Sequence, residues 1–257
     1  MARRELPVLN CMVVPFSRNG KLGGMGATYR PVGAPSFGGS CPSTCQFLPV
    51  HLGGSCDNSE LMCYSLTGWC RKHQRTSSSR FDSLYTIGRG FDVRLHVSGD
   101  FMLPELGGWD WDYATGVADW ARTQLGVVYA YSHVPGLDSW GTGRELMQAG
   151  IVLWASRDSV PDVLQDLRKL RALPAGERYA VGCTLAQPLA LLKSSKRQIE
   201  QAGFSAVYCP WDLSRALTGR NPAGVISCRE CRLCLDSPKR PDVVLFPVHG
   251  DGREGGL

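Results

Sequence analysis

The sequence lacks a long apolar run, although 43% of its 257 residues are hydrophobic. Near its beginning, Val13-Val14 is interrupted by Pro15, and no later stretch approaches the about 20 apolar residues of a transmembrane helix. A secretory signal also needs an unbroken apolar segment. We therefore expect no membrane partner and interpret the chain as a cytoplasmic protein.

The sequence also has little surplus of charge. Its 28 Lys and Arg residues exceed its 23 Asp and Glu residues by a formal net charge of +5. A balance this mildly basic permits a nucleic-acid partner but gives weak support for one. The hydrophobic and charged fractions are ordinary for a globular protein.

Cysteine is the residue that the sequence has in excess, with 11 copies. An odd count fits poorly with a complete set of disulfides, whereas thiolates are suitable ligands for zinc and for iron–sulfur clusters. We predict that two groups of cysteines bind metal. The first group is Cys41, Cys45 and Cys63, and the second is Cys209, Cys228, Cys231 and Cys234.

In the second group, Cys228, Cys231 and Cys234 form a CxxCxxC run. This spacing is typical of ferredoxins, in which such a run supplies corners of an iron–sulfur cube. No cysteine follows three residues later, so we assign Cys209, which precedes Pro210, as the fourth ligand. Zinc sites usually combine two separate CxxC pairs, and zinc remains the alternative metal.

The first group is less regular. Cys41 and Cys45 are close in sequence, Cys63 is distant, and Cys56 or Cys70 can serve as a fourth ligand. If only three thiolates bind, a four-iron cluster keeps one open iron, as catalytic metal sites keep an open position. A structural zinc site, a redox-sensitive loop, and one cluster shared by both groups are the alternatives.

Between the two groups, strand and helix patterns alternate. We predict a sheet of parallel strands, either open and doubly wound or closed into a barrel. The predicted strands are Ala27–Val32, Val93–Val97, Val127–Tyr131, Ile151–Ala155, Tyr179–Val181, Ala206–Tyr208 and Val243–Phe246. The predicted helices are Trp111–Leu125, Ser139–Gln148, a helix that begins after Ser159, and Pro188–Ala202.

Polar residues follow several of these strands, and ligands of parallel sheets gather at the strands' C-terminal ends. Asp100 is a candidate acid, base or amine-binding carboxylate, with helix capping as the alternative. His133 and Arg157 are candidates for binding an anionic group. His96 lies inside a strand, and we interpret it as a hydrogen-bonded core histidine.

The order of these motifs resembles the radical SAM proteins. More closely, the chain is similar over residues 40–250 to a family of uncharacterised bacteriophage-encoded cysteine-cluster proteins. The shared motifs are CPxxC at Cys41–Cys45, Cys63-Tyr64, HVSGDF at His96–Phe101, the strand Val127–Tyr131, and the late CP…CxxCxxC run. The gap before Cys63 is longer than in radical SAM proteins, and Ser-Gly-Asp stands where they have Gly-Gly-Glu.

The resemblance implies a partial (β/α) barrel of about six strands and an iron–sulfur enzyme that acts on a small molecule. It implies that Cys41, Cys45 and Cys63 hold a 4Fe-4S cluster with an open iron. S-adenosylmethionine would bind there, with Ser98, Gly99 and Asp100 at its methionine end. Asp100, His133 and Arg157 would line the pocket as the catalytic residues. The second group would hold an auxiliary or structural cluster, and a phage origin would place the protein in the host cytoplasm.

We therefore expect one α/β domain over residues 1–257. It comprises a Gly/Pro-rich arm (1–40), the first cysteine loop (41–70), a strand–helix core (90–208), and the second cysteine group with the last strand (209–250). The alternative function is a non-catalytic module, stabilised by zinc or an iron–sulfur cluster, that binds nucleic acid or protein.

Overall fold

The computed structural model describes residues 11–30, 32, 40–41, 84–98, 100–101, 110–133, 142–218 and 224–247. The strands are β1 (Met12–Val14), β2 (Gly26–Tyr29), β3 (Val93–Ser98), β4 (Val128–Ser132), β5 (Ile151–Arg157), β6 (Gly182–Gln187), β7 (Ala206–Tyr208) and β8 (Val243–Pro247). The α-helices are α1 (Trp111–Ala121), α2 (Thr142–Gln148), α3 (Val160–Ala172), α4 (Leu189–Gln201), α5 (Pro210–Thr218) and α6 (Cys228–Cys231). Two 3₁₀ turns lie at Leu84–Thr86 and Ala175–Glu177. None of the described helices combines the length and apolar character needed to cross a membrane.

All eight strands belong to one sheet, in the order β1-β2-β3-β4-β5-β6-β8-β7. Strand β1 is antiparallel to β2, and every other neighbouring pair is parallel. The last strand, β8, lies between β6 and β7. The predicted α/β class and parallel strands are confirmed. Within the described residues the sheet has eight strands, where about six were expected, and it does not close into a barrel.

Helices α1 to α4 pack against one face of the sheet, which we call the helix face. Its core is made of alternate residues of the strands, such as Leu95 on β3, Ala130 on β4 and Leu153 on β5. Burial of a leucine-sized side chain contributes about 1.5–3 kcal/mol, so this apolar layer is the main source of stability. The sheet is open, as in one of the two predicted alternatives, with α1 to α4 on this face and α5 on the other.

The opposite face of the sheet, which we call the cysteine face, is covered differently. Its strand residues include Tyr129 and Tyr131 on β4 and Trp154 on β5. They pack against a loop around Leu22 and against residues 224–240, which we call the cysteine segment. Helix α5 contributes Trp211 to this side.

One predicted strand was misplaced. Tyr179 and Ala180 are buried on the helix face but precede the strand, which is Gly182–Gln187. At Gly182 a Cβ atom would lie 2.5 Å from the carbonyl oxygen of Asp242, so the strand enters the sheet where glycine permits close approach. The other predicted strands agree with the structure to within one or two residues, except that Ala27–Val32 ends earlier, at Tyr29.

A β-bulge between β2 and β3 determines where His96 points. The register shifts between Ala27 and Tyr29, His96 adopts φ of 51°, and its backbone N–H donates to Thr28 Oγ1 at 2.9 Å. The imidazole consequently lies on the helix face, with Nε2 2.7 Å from the hydroxyl of Tyr113. The prediction of a hydrogen-bonded core histidine is confirmed.

Candidate metal centre

The structure brings the second cysteine group together. Cys209, Cys228, Cys231 and Cys234 line one cavity on the cysteine face, with an empty volume of about 400 Å³ that includes its opening to solvent. Cys209 directly follows β7 and is anchored by its N–H, which donates to the carbonyl of Leu245 at 2.9 Å. Cys209 is a buried residue, and the other three are partly buried residues.

The start of the cysteine segment is fixed by its own cap and by the N-terminal loop. Ser227 precedes α6 and its backbone N–H donates to Glu230 at 2.8 Å, which completes a capping box. The N–H of Cys228 donates to the carbonyl of Lys21 at 2.6 Å. Gly23 has φ of +62°, and a Cβ atom there would lie 2.4 Å from Ser227 Oγ, so only glycine allows this close approach.

The end of the segment is fixed by Arg232, which follows α6 in a left-handed conformation with φ of 53°. Its guanidinium donates two hydrogen bonds to Asp236, at 2.6 and 2.7 Å, and one to Asp92 at 2.8 Å. Trp154 Nε1 donates to the carbonyl of Cys234 at 2.9 Å. These bonds hold the third cysteine of the run against the sheet.

A buried ion pair lies in the cavity wall. Lys21 Nζ pairs with Asp212 on α5 and lies 5.0 Å from the ring centre of Phe246. Burial by itself lowers the pKa of Lys21, but the Asp212 carboxylate and the thiols of Cys209 and Cys228 raise it above its usual value. A positive charge is therefore held beside two of the four thiols.

Burial also shifts the pKa values of two of the cavity thiols. It raises the pKa of Cys209 to about 12 against the opposing effect of Lys21. It raises the pKa of Cys234 to about 11, although a hydrogen bond from Tyr131 acts to lower it. Metal ions bind thiolates, so binding here would release protons from these groups.

A zinc ion and a four-iron cluster need different spacings of their four thiolates. In the described ranges, no group of three or more His, Cys, Asp or Glu side chains is arranged to hold one metal ion. A tetrahedral zinc site would need its sulfurs roughly 3.8 Å apart, given Zn–S bonds of about 2.3 Å. A four-iron cube bonds each cysteine to a different iron and spaces the ligands more widely.

Asp100 lies at the C-terminal end of β3 and is buried. Its Oδ1 accepts from Ser132 Oγ at 2.5 Å and from the N–H of Phe101 at 2.8 Å, and its Oδ2 accepts from the N–H of His133 at 2.6 Å. Burial raises the pKa of this carboxyl, against the effect of His133 and of the hydrogen bonds. Asp100 therefore joins the ends of β3 and β4.

The other strand-end candidates have carboxylate partners. His133 Nε2 lies 3.6 Å from Asp158 Oδ1. Arg157 pairs at 2.5 Å with Asp166 on α3. The sequence pattern correctly placed both side chains at strand ends, and it did not identify these acidic partners.

Of the first cysteine group, the described part of the chain contains Cys41, which is buried. The neighbouring Ser40 accepts a hydrogen bond through Oγ from the N–H of Asp100 at 3.0 Å. Cys41 thus follows a residue bound to the end of β3. Cys45, Cys63, Cys56, Cys70, Gly99 and the side chain of Ser98 lie outside the described residues.

Sequence reasoning missed the polar wall of the cavity. Lys21 lies in a Gly-rich loop with no recognisable motif, although Asp212 closely follows Cys209-Pro210. Tyr129 and Tyr131 were interpreted only as strand residues, yet their two-residue spacing on β4 puts both rings on the cysteine face. Comparison of the chain with protein-family models, with curated proteins and with solved structures gives no match.

Proposed function

We propose that the chain is an iron–sulfur protein and that its second cysteine group, Cys209, Cys228, Cys231 and Cys234, binds a 4Fe-4S cluster. The observation that carries the proposal is the shared cavity of these four thiols. One proposed ligand directly follows a strand, and the other three belong to the cysteine segment. The capping box of α6, the close approach at Gly23 and the hydrogen bonds of Arg232 hold that segment in place.

The rest of the cavity supports this proposal. When bound, a cluster of this kind supplies one-electron chemistry. The chain's own contribution is to bind the irons through thiolates, to offset their negative charge with Lys21, and to exclude water with apolar walls. Trp211 and Phe246 form part of those walls. A dry, partly enclosed site is what iron–sulfur clusters need to keep a defined potential.

We further propose that the first group, Cys41, Cys45 and Cys63, binds a second cluster whose open iron takes a small molecule, and that the protein is an enzyme. The radical SAM resemblance supports this, as does the order β2, Cys41, β3, Asp100 along the chain. Strands β2 and β3 are parallel neighbours, and Ser40 is hydrogen-bonded to Asp100. Helices on one face of the sheet are also what a partial barrel would have.

The test of the second cysteine group is metal analysis of protein purified without oxygen. We expect iron and sulfide in equal amounts and a brown absorbance that dithionite bleaches. Cys231→Ser should lose at least half of the iron, whereas the matched control Cys183→Ala, in the helix-face core, should retain it. Wild-type protein that contains zinc and no iron would overturn the proposal in favour of the metal-stabilised module.

The first group needs a separate measurement. We expect Cys45→Ser to reduce the iron content while leaving the spectrum of the second cluster intact. S-adenosylmethionine added to reduced wild-type protein should alter the electron paramagnetic resonance of one cluster only. Full iron in Cys45→Ser, or a spectrum indifferent to S-adenosylmethionine, would contradict this part of the proposal.

A further inference from the structure

A tyrosine beside the candidate metal centre has its hydroxyl buried against two of the thiols. Tyr129 on β4 is 0% exposed, and its hydroxyl has no nitrogen or oxygen partner among the described residues. The thiol of Cys228 lies within hydrogen-bonding reach of it, and Cys234 is also near. A neutral thiol is a weak acceptor, so this buried hydroxyl calls for a stronger one.

The next tyrosine on the same face already contacts a ligand. Tyr131 lines the cavity, and its hydroxyl donates a hydrogen bond to the thiol of Cys234. The two tyrosine rings pack edge to face, with centroids 5.7 Å apart. The Arg94 guanidinium lies 5.0 Å from the ring centre of Tyr131. The two hydroxyls are thus held by a rigid strand beside two of the four thiols.

We propose that Tyr129 and Tyr131 are the hydrogen-bond donors that set the reduction potential of the cluster held by the second cysteine group. Ligand thiolates and cluster sulfides are anionic acceptors, and they would accept a stronger hydrogen bond from an O–H group than a neutral thiol does. Reduction adds an electron to the cluster. Donated hydrogen bonds stabilise the more negative reduced state and raise the potential.

This inference rests on the proposed function, since it requires a cluster in the cavity. It adds a specific role for two residues that are not ligands. Both are positioning residues that act on the cluster through its sulfurs. Removing either hydroxyl deletes one oxygen and leaves the ring in place.

The test is a mediated redox titration of loaded protein followed by electron paramagnetic resonance. Tyr129→Phe and Tyr131→Phe should keep wild-type iron content, and each should lower the equilibrium constant for reduction about tenfold, a fall of about 59 mV for a one-electron couple. The double variant should fall further. The matched control is Tyr208→Phe, whose ring packs on the helix face, and its potential should equal that of wild type.

Two outcomes separate the claims. Clusters present in full with unchanged potentials in both variants would overturn the role of the tyrosines and leave the cluster proposal standing. A wild-type chain that takes up no iron on anaerobic reconstitution would overturn both.

Discussion

The backbone N–H of Cys228 donates a 2.6 Å hydrogen bond to the carbonyl of Lys21. This bond joins a loop near the beginning of the chain to the cysteine segment near its end. The same Lys21 lines the cavity and pairs with Asp212. The candidate metal centre therefore depends on a contact that no single stretch of sequence contains.

The first prediction concerns the glycine that permits this contact. Gly23→Ala places a Cβ atom 2.4 Å from Ser227 Oγ at a residue with φ of +62°, so the cysteine segment must move. We expect a loss of stability of about 2–4 kcal/mol, from backbone strain plus displacement of the cap, and a reduced iron content. Urea unfolding and iron analysis are the measurements.

Gly150→Ala is the matched control for that variant. Gly150 has φ of +89°, and a Cβ atom there has no other atom within 4 Å. We expect Gly150→Ala to lose about 1–2 kcal/mol of stability from backbone strain alone and to keep the iron content of wild type. Equal losses of stability and equal iron in the two variants would mean that the contact between Gly23 and Ser227 is unimportant.

The second prediction concerns the clamp at the other end of the cysteine segment. Arg232→Asn keeps a residue that tolerates the left-handed backbone but removes the hydrogen bonds to Asp236 and Asp92. We expect the free energy of unfolding to fall by about 1–2 kcal/mol and the iron content to fall with it. Asp236→Asn, which affects only the local i,i+4 pair, should cost about 0.5 kcal/mol or less and keep the iron.

Iron retained in full by Arg232→Asn would contradict this prediction. The bond that distinguishes the two variants is the one to Asp92, which precedes β3 and also accepts from the N–H of Val127 at 2.8 Å. Asp92→Asn should therefore resemble Arg232→Asn more than Asp236→Asn.

The cysteines show how far the sequence alone can lead. The CxxCxxC spacing and Cys209-Pro210 identified four residues that line one cavity, because the spacing of ligands is a local property of the chain. The alternation of apolar residues likewise predicted most strands of the parallel sheet. Both signals are periodic and need no knowledge of tertiary contacts.

Other features of the site are set by tertiary contacts and leave little trace in the sequence. Lys21 owes its role to Asp212 and to the thiols that fold over it. The side chain of His96 lies on the helix face, like that of its neighbour Leu95, because of a bulge between β2 and β3. Strict alternation of side chains along a strand would not predict this. The insertion of β8 between β6 and β7, which brings Phe246 to the cavity, is equally a matter of topology.

The third prediction concerns the carboxylate at the end of β3. Asp100 accepts from two backbone N–H groups, one on each side-chain oxygen. In Asp100→Asn, the amide nitrogen must face either Phe101 or His133, and in both orientations one N–H loses its acceptor. We expect a loss of about 1–3 kcal/mol in the free energy of unfolding, measured in urea.

Ser132→Ala is the comparison for Asp100→Asn. It removes one of the donors to the same carboxylate and keeps the carboxylate as acceptor of both backbone N–H groups. It should cost about 1 kcal/mol or less. A larger loss for Ser132→Ala than for Asp100→Asn would contradict the account of Asp100 as the link between β3 and β4.

The fourth prediction concerns acid stability. Burial, and next the charge of Arg30, hold the pKa of His96 well below its usual 6.5. Below about pH 6.5 the unfolded chain therefore binds a proton at His96 that the native protein does not. By linkage, native stability is fully present above pH 6.5 and falls by about 1.4 kcal/mol per pH unit as the pH decreases below it, until the lowered native pKa is reached.

His96→Asn isolates this contribution, because asparagine tolerates φ of 51° and does not titrate. At pH 7 the variant should be less stable than wild type, since it loses the contact with Tyr113. As the pH falls from 7 to 5 the difference should shrink, because only wild type must keep a buried imidazole neutral. Urea unfolding at several pH values measures the two curves. A difference that stays constant between pH 7 and 5 would mean that His96 takes up its proton in the folded protein as readily as in the unfolded chain.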